Sequence, residues 1–218
     1  MKSETQSAHA ESEGSKQKPT IIAIEGCVGA GKTTLAEGLA ALRGTRLLLE
    51  DFSAVPFLEE FYRDPIGCAL ETEFAFMLQH YHQLRLAGRQ GGEIIADFTF
   101  IKDVLFAQLN MADEDERSLF LKLFHLLEAR LPSVALTVFI SASDELILHR
   151  IRERGRSIEL ATDPAYYRRL NSGYEAFFAE YSGETLQIRA DEYDFLADPT
   201  LFGWLSKEID QRLAAQVA

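Results

Sequence analysis

Ile21-Ile-Ala-Ile-Glu-Gly-Cys-Val-Gly-Ala-Gly-Lys-Thr-Thr34 decides the fold. Its first half is a short apolar run, too brief for a helix, and reads as a buried strand. Gly26, Gly29 and Gly31 then precede Lys32 and Thr33 with G-x-x-x-x-G-K-T spacing, and Leu35-Ala-Glu-Gly-Leu-Ala40 follows as a helix. Strand, glycine loop and helix in that order make a phosphate cradle. Glycines let backbone N–H groups converge on phosphate oxygens, and the helix N-terminus adds positive potential. The expected contacts are Gly26, Gly29, Ala30, Gly31, Lys32, Thr33 and Thr34. Lys32 can reach the outer phosphates, and the Thr33 hydroxyl suits Mg2+. Cys27 lies inside the loop, either as a thiolate activated by Lys32 and the helix terminus or simply as a residue that fills its position.

Outward from this loop, short apolar runs alternate with longer helical stretches, without internal repeats. The strand candidates are Thr20 to Glu25, Arg46 to Leu49, Glu93 to Ala96, Val134 to Ile140 and Thr185 to Arg189. Strands that alternate with helices predict an α/β fold with a parallel five-stranded sheet flanked by helices and ligands gathered beyond the carboxyl ends of the strands. Two helical segments are bulkier than a crossover needs: Pro65 to Ala87, and Ile101 to Leu109 followed by Arg117 to Arg130. In the latter, Leu119, Leu123, Leu126 and Leu127 recur at helical spacing. Sheet-facing core is the preferred reading, and a helix-on-helix dimer surface the alternative.

Bulk properties narrow the function. A chain of 218 residues suits one α/β domain, here residues 20–218. The opening residues 1–19 are polar and aperiodic, and are expected to form a disordered tail. A formal net charge of −12 argues against a polymeric nucleic-acid partner, whose phosphates call for Lys and Arg. No apolar run approaches the roughly 18 residues that cross a bilayer, and the N-terminus lacks a signal-peptide core, so no membrane is expected. Cys27 and Cys68 form no disulfide framework or zinc spacing, and a cytoplasmic setting is expected.

A phosphate cradle serves motors, switches and kinases alike. A switch GTPase needs an Asn-Lys-x-Asp segment, which is absent, and a motor ATPase is normally larger and basic. Small-molecule kinases remain. Three further stretches bear on the choice: Leu49-Glu-Asp-Phe-Ser-Ala-Val-Pro-Phe-Leu-Glu-Glu-Phe-Tyr62, Ala96-Asp-Phe-Thr-Phe-Ile-Lys-Asp-Val-Leu-Phe-Ala107 and His149-Arg-Ile-Arg-Glu-Arg-Gly-Arg-Ser-Ile-Glu159. In order and spacing, from Ile21 to about Phe195, they resemble the deoxynucleoside kinase family, and within it the bacterial deoxyguanosine/deoxyadenosine kinase branch.

That resemblance implies a P-loop kinase fold with an Arg-rich lid, ATP and Mg2+ as cofactors, a deoxynucleoside substrate and a homodimer. Glu50, six residues before Pro56, matches the family's base for the 5′-hydroxyl, with the adjacent Asp51 as structural competitor. Asp97, at a strand end, orients Mg2+ through water. Family members often continue Asp-Arg-Ser; Phe98-Thr99 stands here, so Lys102 or another cation must supply the missing charge. Arg154 and Arg156, supported by Arg150, are the lid contacts to phosphate. Tyr62 and Glu159 hold the 3′-hydroxyl, where close packing disfavours a 2′-hydroxyl. Asp191 to Phe195 resembles the loop beside the ATP adenine.

The base pocket departs most from the family, with Glu73 where a Gln is usual and His80 where an Arg follows seven residues later. They lie about two helical turns apart and can share a face. A carboxylate only accepts hydrogen bonds, and guanine presents adjacent N1–H and N2–H2 donors, so Glu73 favours deoxyguanosine, with deoxyadenosine possible. A surface ion pair is the alternative role for Glu73. His80 or Lys102 could donate to guanine O6 or N7, either Lys102 or Asp103 could face the pocket, and Phe106 could stack on the base. The remaining alternatives are a kinase of another small acceptor, such as a nucleoside monophosphate, and a nucleotide-binding regulator without turnover.

Overall fold

A computed structural model describes residues 18–52, 55–64 and 67–216. The expected N-terminal tail, apart from Lys18 and Pro19, and the expected helix start at Pro65 lie outside the described residues. Five strands, β1 (Thr20–Gly26), β2 (Arg46–Leu48), β3 (Glu93–Ala96), β4 (Val134–Ser141) and β5 (Thr185–Arg189), form one sheet in the order β2-β3-β1-β4-β5. All four pairings are parallel. Every strand candidate is present, with ends within one residue of the expectation. The inner strands β1, β3 and β4 are recognisable because they are buried on both faces and read as near-continuous apolar runs, whereas the edge strands β2 and β5 are partly exposed.

Alternation along β1 divides the core. Ile22 and Ile24 join Leu35 and Leu39 of α1 (Lys32–Arg43) and Leu205 and Ile209 of α9 (Thr200–Ala215). Ile21 points the other way, to Met77 and Leu84 of α3 (Ala69–Gly88) and Phe120 and Phe124 of α5 (Glu114–Glu128). Successive strand residues face opposite sides, so one central strand anchors both helical layers. The chain passes from β3 across β1 to β4, which opens a crevice at the carboxyl end of β1, where the glycine loop begins.

The core reading of the α5 leucines holds for Leu123 and Leu127, which pack against the buried cluster, and is corrected for Leu119 and Leu126. Phe120 and Phe124 are fully buried, whereas Leu119 and Leu126 are 57% and 64% exposed and Leu123 and Leu127 are half-buried. Two aromatic residues four apart already occupy the centre of the inward face of α5, so Leu119 and Leu126 are turned outward while Leu123 and Leu127 flank the core. Asp113 starts the helix by accepting from the backbone N–H groups of Asp115 and Glu116. The remaining helices are α2 (Leu58–Arg63), α4 (Lys102–Asn110), α6 (Asp144–Arg154), α7 (Ser157–Leu160) and α8 (Pro164–Glu180). No helix among the described residues is long and apolar enough to cross a membrane.

Candidate active site

The carboxyl ends of the strands border a cavity of about 790 Å3. The glycine loop forms one wall. Gly26 and Gly31 have φ of 152° and 106°, and a Cβ on Gly26 would stand 2.6 Å from the Ile140 carbonyl oxygen, so only glycine fits there. No side chain caps the N-terminus of α1, which leaves its first N–H groups for a ligand. Lys32 Nζ donates to the carbonyl oxygens of Gly26 at 2.7 Å and Cys27 at 3.3 Å. Burial and the Lys102 ammonium lower the Lys32 pKa, against the pull of Glu25 and Glu50.

Opposite the loop stands Glu50, just after β2. Its Oε1 accepts from Lys102 Nζ at 2.5 Å and meets His80 Nε2 at 3.0 Å. Burial works to raise this carboxyl, but Lys102 and His80 together hold it well below the usual carboxylate range. The other ring nitrogen, His80 Nδ1, is 2.8 Å from Asp103 Oδ1. The imidazole lies between Phe98 and Phe76, at centroid distances of 4.8 and 5.6 Å. Burial disfavours the imidazolium, yet Asp103 and Glu50 on its two sides prevail and push its pKa up to about 9. Glu50, His80 and Asp103 thus form a continuous chain, with Lys102 as a second clamp on Glu50.

Asp97 ties the two walls together. Its Oδ2 accepts from Thr33 Oγ1 and its Oδ1 from the Glu50 backbone N–H, both at 2.7 Å. The arginine-rich segment lies at the end of α6. Gly155, with φ of 70°, ends that helix in the left-handed region, so Arg154 and Arg156 flank a sharp turn into α7. Both reach Glu159: Arg154 Nη2 donates to Oε2 at 2.6 Å and Arg156 Nη1 to Oε1 at 3.3 Å. Arg150 Nη1 donates to the Ala30 carbonyl oxygen at 2.7 Å and thereby braces the glycine loop.

The family model for deoxynucleoside kinases matches residues 22–213. The chain belongs to the deoxynucleoside kinase family. The kinase is 32% identical over 206 residues to a deoxyguanosine kinase of Bacillus subtilis, covering 90% of this chain and 95% of that one. It is 29% identical to a deoxyadenosine kinase of Lactobacillus acidophilus, over 88% of this chain and 96% of the relative. It is 28% identical to a deoxyadenosine/deoxycytidine kinase of B. subtilis, over 83% and 87%. Among solved structures, a deoxyadenosine kinase from M. mycoides with products dCMP and a flexible dCDP superposes with a TM-score of 0.78 at 25% identity. That superposition covers 88% of this chain and all of that chain. The kinase is accordingly a phosphotransferase with the P-loop kinase fold.

Most residues singled out in the sequence meet in the cavity: the glycine loop, Glu50, Tyr62, Glu73, Asp97, Lys102, Phe106, Arg150, Arg154, Arg156 and Glu159 all line it. Asp51, the competing carboxylate, is exposed and outside the lining. Two residues expected at the base are placed elsewhere. His80 is fully buried behind Glu50, and Asp103 turns to His80, which leaves Lys102 as the one of the 102–103 pair that faces the cavity. Phe98, where an Arg is common, packs on the His80 ring. Glu73 is buried rather than on a surface ion pair, and accepts from Asn110 Nδ2 at 2.9 Å. Cys27 is buried and its thiol is pushed up to about 12, so it fills its place in the loop and is not an activated thiolate.

Sequence reasoning missed Glu25, Thr99 and Asn110. Glu25 is fully buried at the end of β1, and its Oε1 accepts from the Thr99 N–H at 2.6 Å and the Thr99 hydroxyl at 2.7 Å. Burial raises its carboxyl, opposed by Lys102, Lys32 and Thr99. Glu25 had a signal, since a carboxylate in an otherwise apolar strand must find a partner. Asn110 had none.

Proposed function

We propose that this kinase transfers the γ-phosphoryl group of ATP to the 5′-hydroxyl of a purine deoxynucleoside in nucleotide salvage, with deoxyguanosine preferred and deoxyadenosine accepted. The observation that carries the reading is Glu50 across one cavity from the glycine loop, ionised by Lys102 and His80 and bound through Asp97 to Thr33. A regulator that only binds nucleotide needs no such carboxylate. In this reading Glu50 accepts the proton of the attacking hydroxyl, and phosphoryl transfer proceeds chiefly through positioning and charge stabilisation. Lys102 takes over the charge that an Arg after the strand-end acid supplies in other members.

Lys32 is free to exchange its two carbonyl contacts for phosphate oxygens. Arg154 and Arg156 supply lid charge to the same oxygens, while Glu159 and Tyr62 hold the 3′-hydroxyl. The Thr33 hydroxyl and Asp97 carboxylate, 2.7 Å apart beside the glycine loop, are hard oxygen donors that fit Mg2+, which characteristically keeps waters and takes few protein ligands. A Mg2+ held by Thr33 and Asp97 would supply positive charge to the transferring phosphate. Tyr193, with its ring stacked on Trp204 at 5.1 Å, lines the cavity from within the 191–195 loop that resembles the one beside the ATP adenine.

Glu73 reads the base: a carboxylate accepts from both adjacent donors of guanine. The deoxyguanosine kinase of B. subtilis supports this choice, and the deoxyadenosine kinase relatives support acceptance of the second purine. A homodimer is proposed through the outward Leu119 and Leu126 on α5, exposed apolar side chains of the kind that mark subunit contact. The functional test is incubation with Mg·ATP and each of the four deoxynucleosides. Absence of phosphorylation for all four overturns the kinase reading, and preferred turnover of a pyrimidine overturns the role of Glu73 alone.

A further inference from the structure

Glu73 differs in its surroundings from the other carboxylates of the cavity. Glu50 is paired with Lys102, Asp97 receives two hydrogen bonds, and Glu159 is held by two arginines. Glu73 is 2% exposed, forms no ion pair within 4 Å among the described residues, and receives its hydrogen bond from the neutral Asn110 amide. A buried carboxylate without a cation gains by taking a proton. The charged and titratable groups around it are Lys102 and Asp103 on α4, His80 on α3 and Tyr166 on α8. Lys102 and His80 favour the ion, but both are engaged with Glu50 and Asp103, and Asp103 opposes it. The sum pushes the Glu73 carboxyl up to about 8, with burial the leading cause.

The two forms of this carboxyl present different patterns to a base. The ion accepts twice, which suits guanine N1–H and N2–H2. The acid donates from one oxygen and accepts at the other, which suits adenine, with N1 as acceptor beside N6–H2 as donor. Asn110 helps to fix which oxygen is which: its N–H bond to Oε1 makes Oε1 the carbonyl oxygen of the acid and leaves the proton on Oε2. Oε1 keeps a second lone pair for the base.

We propose that Glu73 reads both purines through its protonation state, taking deoxyguanosine as the carboxylate and deoxyadenosine as the carboxylic acid, so that pH sets the balance between the two substrates. The proposal rests on the placement of the base at Glu73 proposed above. A Gln, which the family resemblance gives as usual at this position, has a single donor-acceptor pattern that does not titrate.

The experiment measures kcat/KM for deoxyguanosine and deoxyadenosine, at saturating Mg·ATP, from about pH 6 to about pH 8.5. Ionisations of groups common to both reactions, Glu50 and His80 among them, cancel in the ratio of the two constants. The deoxyguanosine-to-deoxyadenosine ratio is expected to rise about tenfold per pH unit, because it follows the ratio of ion to acid at position 73. Glu73→Gln, isosteric and neutral like the acid form, is expected to make the ratio independent of pH and to favour deoxyadenosine. A flat ratio in the unaltered kinase overturns the proposal even if Glu73→Gln fails to fold, and a slope retained in Glu73→Gln overturns it equally. If both purines are phosphorylated with a flat ratio, the kinase reading stands and the two-state reading falls. If neither purine is phosphorylated, the purine assignment and the two-state reading both fall, and the kinase reading falls only if the pyrimidines fail as well.

Discussion

Replacing His80 with Phe tests the buried chain that holds Glu50. The ring sits between Phe98 and Phe76, so a phenyl group fits the same space and keeps the stacking. What is lost is the imidazolium. Asp103, 1% exposed, then loses its bonds to His80 Nδ1 at 2.8 and 3.1 Å and becomes a buried charge without its counter-ion. Breaking a buried pair by removing one partner typically costs about 3–5 kcal/mol. The carboxyl can escape by taking a proton, which from an ordinary Asp value limits the cost to about 4 kcal/mol at pH 7. Urea unfolding at pH 7 of His80→Phe is therefore expected to show a loss of about 3–4 kcal/mol. The double variant His80→Phe/Asp103→Leu removes the stranded charge and is expected to recover most of that loss. It does not recover turnover, because Glu50 still lacks one of its two clamps. A loss below about 1 kcal/mol in the single variant, or a double variant no more stable than the single, refutes the charge chain as described.

Glu50→Gln keeps the shape and removes the proton acceptor: kcat is expected to fall by at least about a hundredfold, with Mg·ATP affinity nearly unchanged, and near-normal turnover removes Glu50 as the base. Stability is expected to fall as pH rises from 6.5 towards 9. His80 has a folded pKa of about 9 against 6.5 unfolded, so its contribution is full below 6.5 and is lost as pH passes through 9, on the order of 3 kcal/mol. Glu73, raised from 4.5 to about 8, acts in the same direction over its own lower window, so Glu73→Gln should flatten the part below pH 8 in urea midpoints. For the subunit contact, Leu119→Asp/Leu126→Asp is expected to convert a dimer to a monomer in sedimentation equilibrium; an unaltered chain that sediments as a monomer refutes the α5 interface.

What the sequence determined by itself is the part governed by local pattern. The five strands were legible because each is a short apolar run interrupted by turn residues, and the cradle because Gly26, Gly29, Gly31 and Lys32 act through backbone geometry within one turn of chain. Family spacing singled out Glu50, Asp97, Arg154 and Arg156, all of which line one cavity. Tertiary structure decided whatever depends on which side chains meet across long separations. His80 meets Glu50 with one ring nitrogen and Asp103 of α4 with the other, across 30 and 23 residues of sequence. The outward turn of Leu119 and Leu126 follows from Phe120 and Phe124 filling the inner face, which periodicity alone could not rank. The surroundings of Glu73, buried with a neutral amide as its hydrogen-bond partner and the nearby Lys102 and His80 engaged elsewhere, are likewise a product of the fold. Burial and charge pairing are sums over the folded neighbourhood, and no single segment of chain contains them.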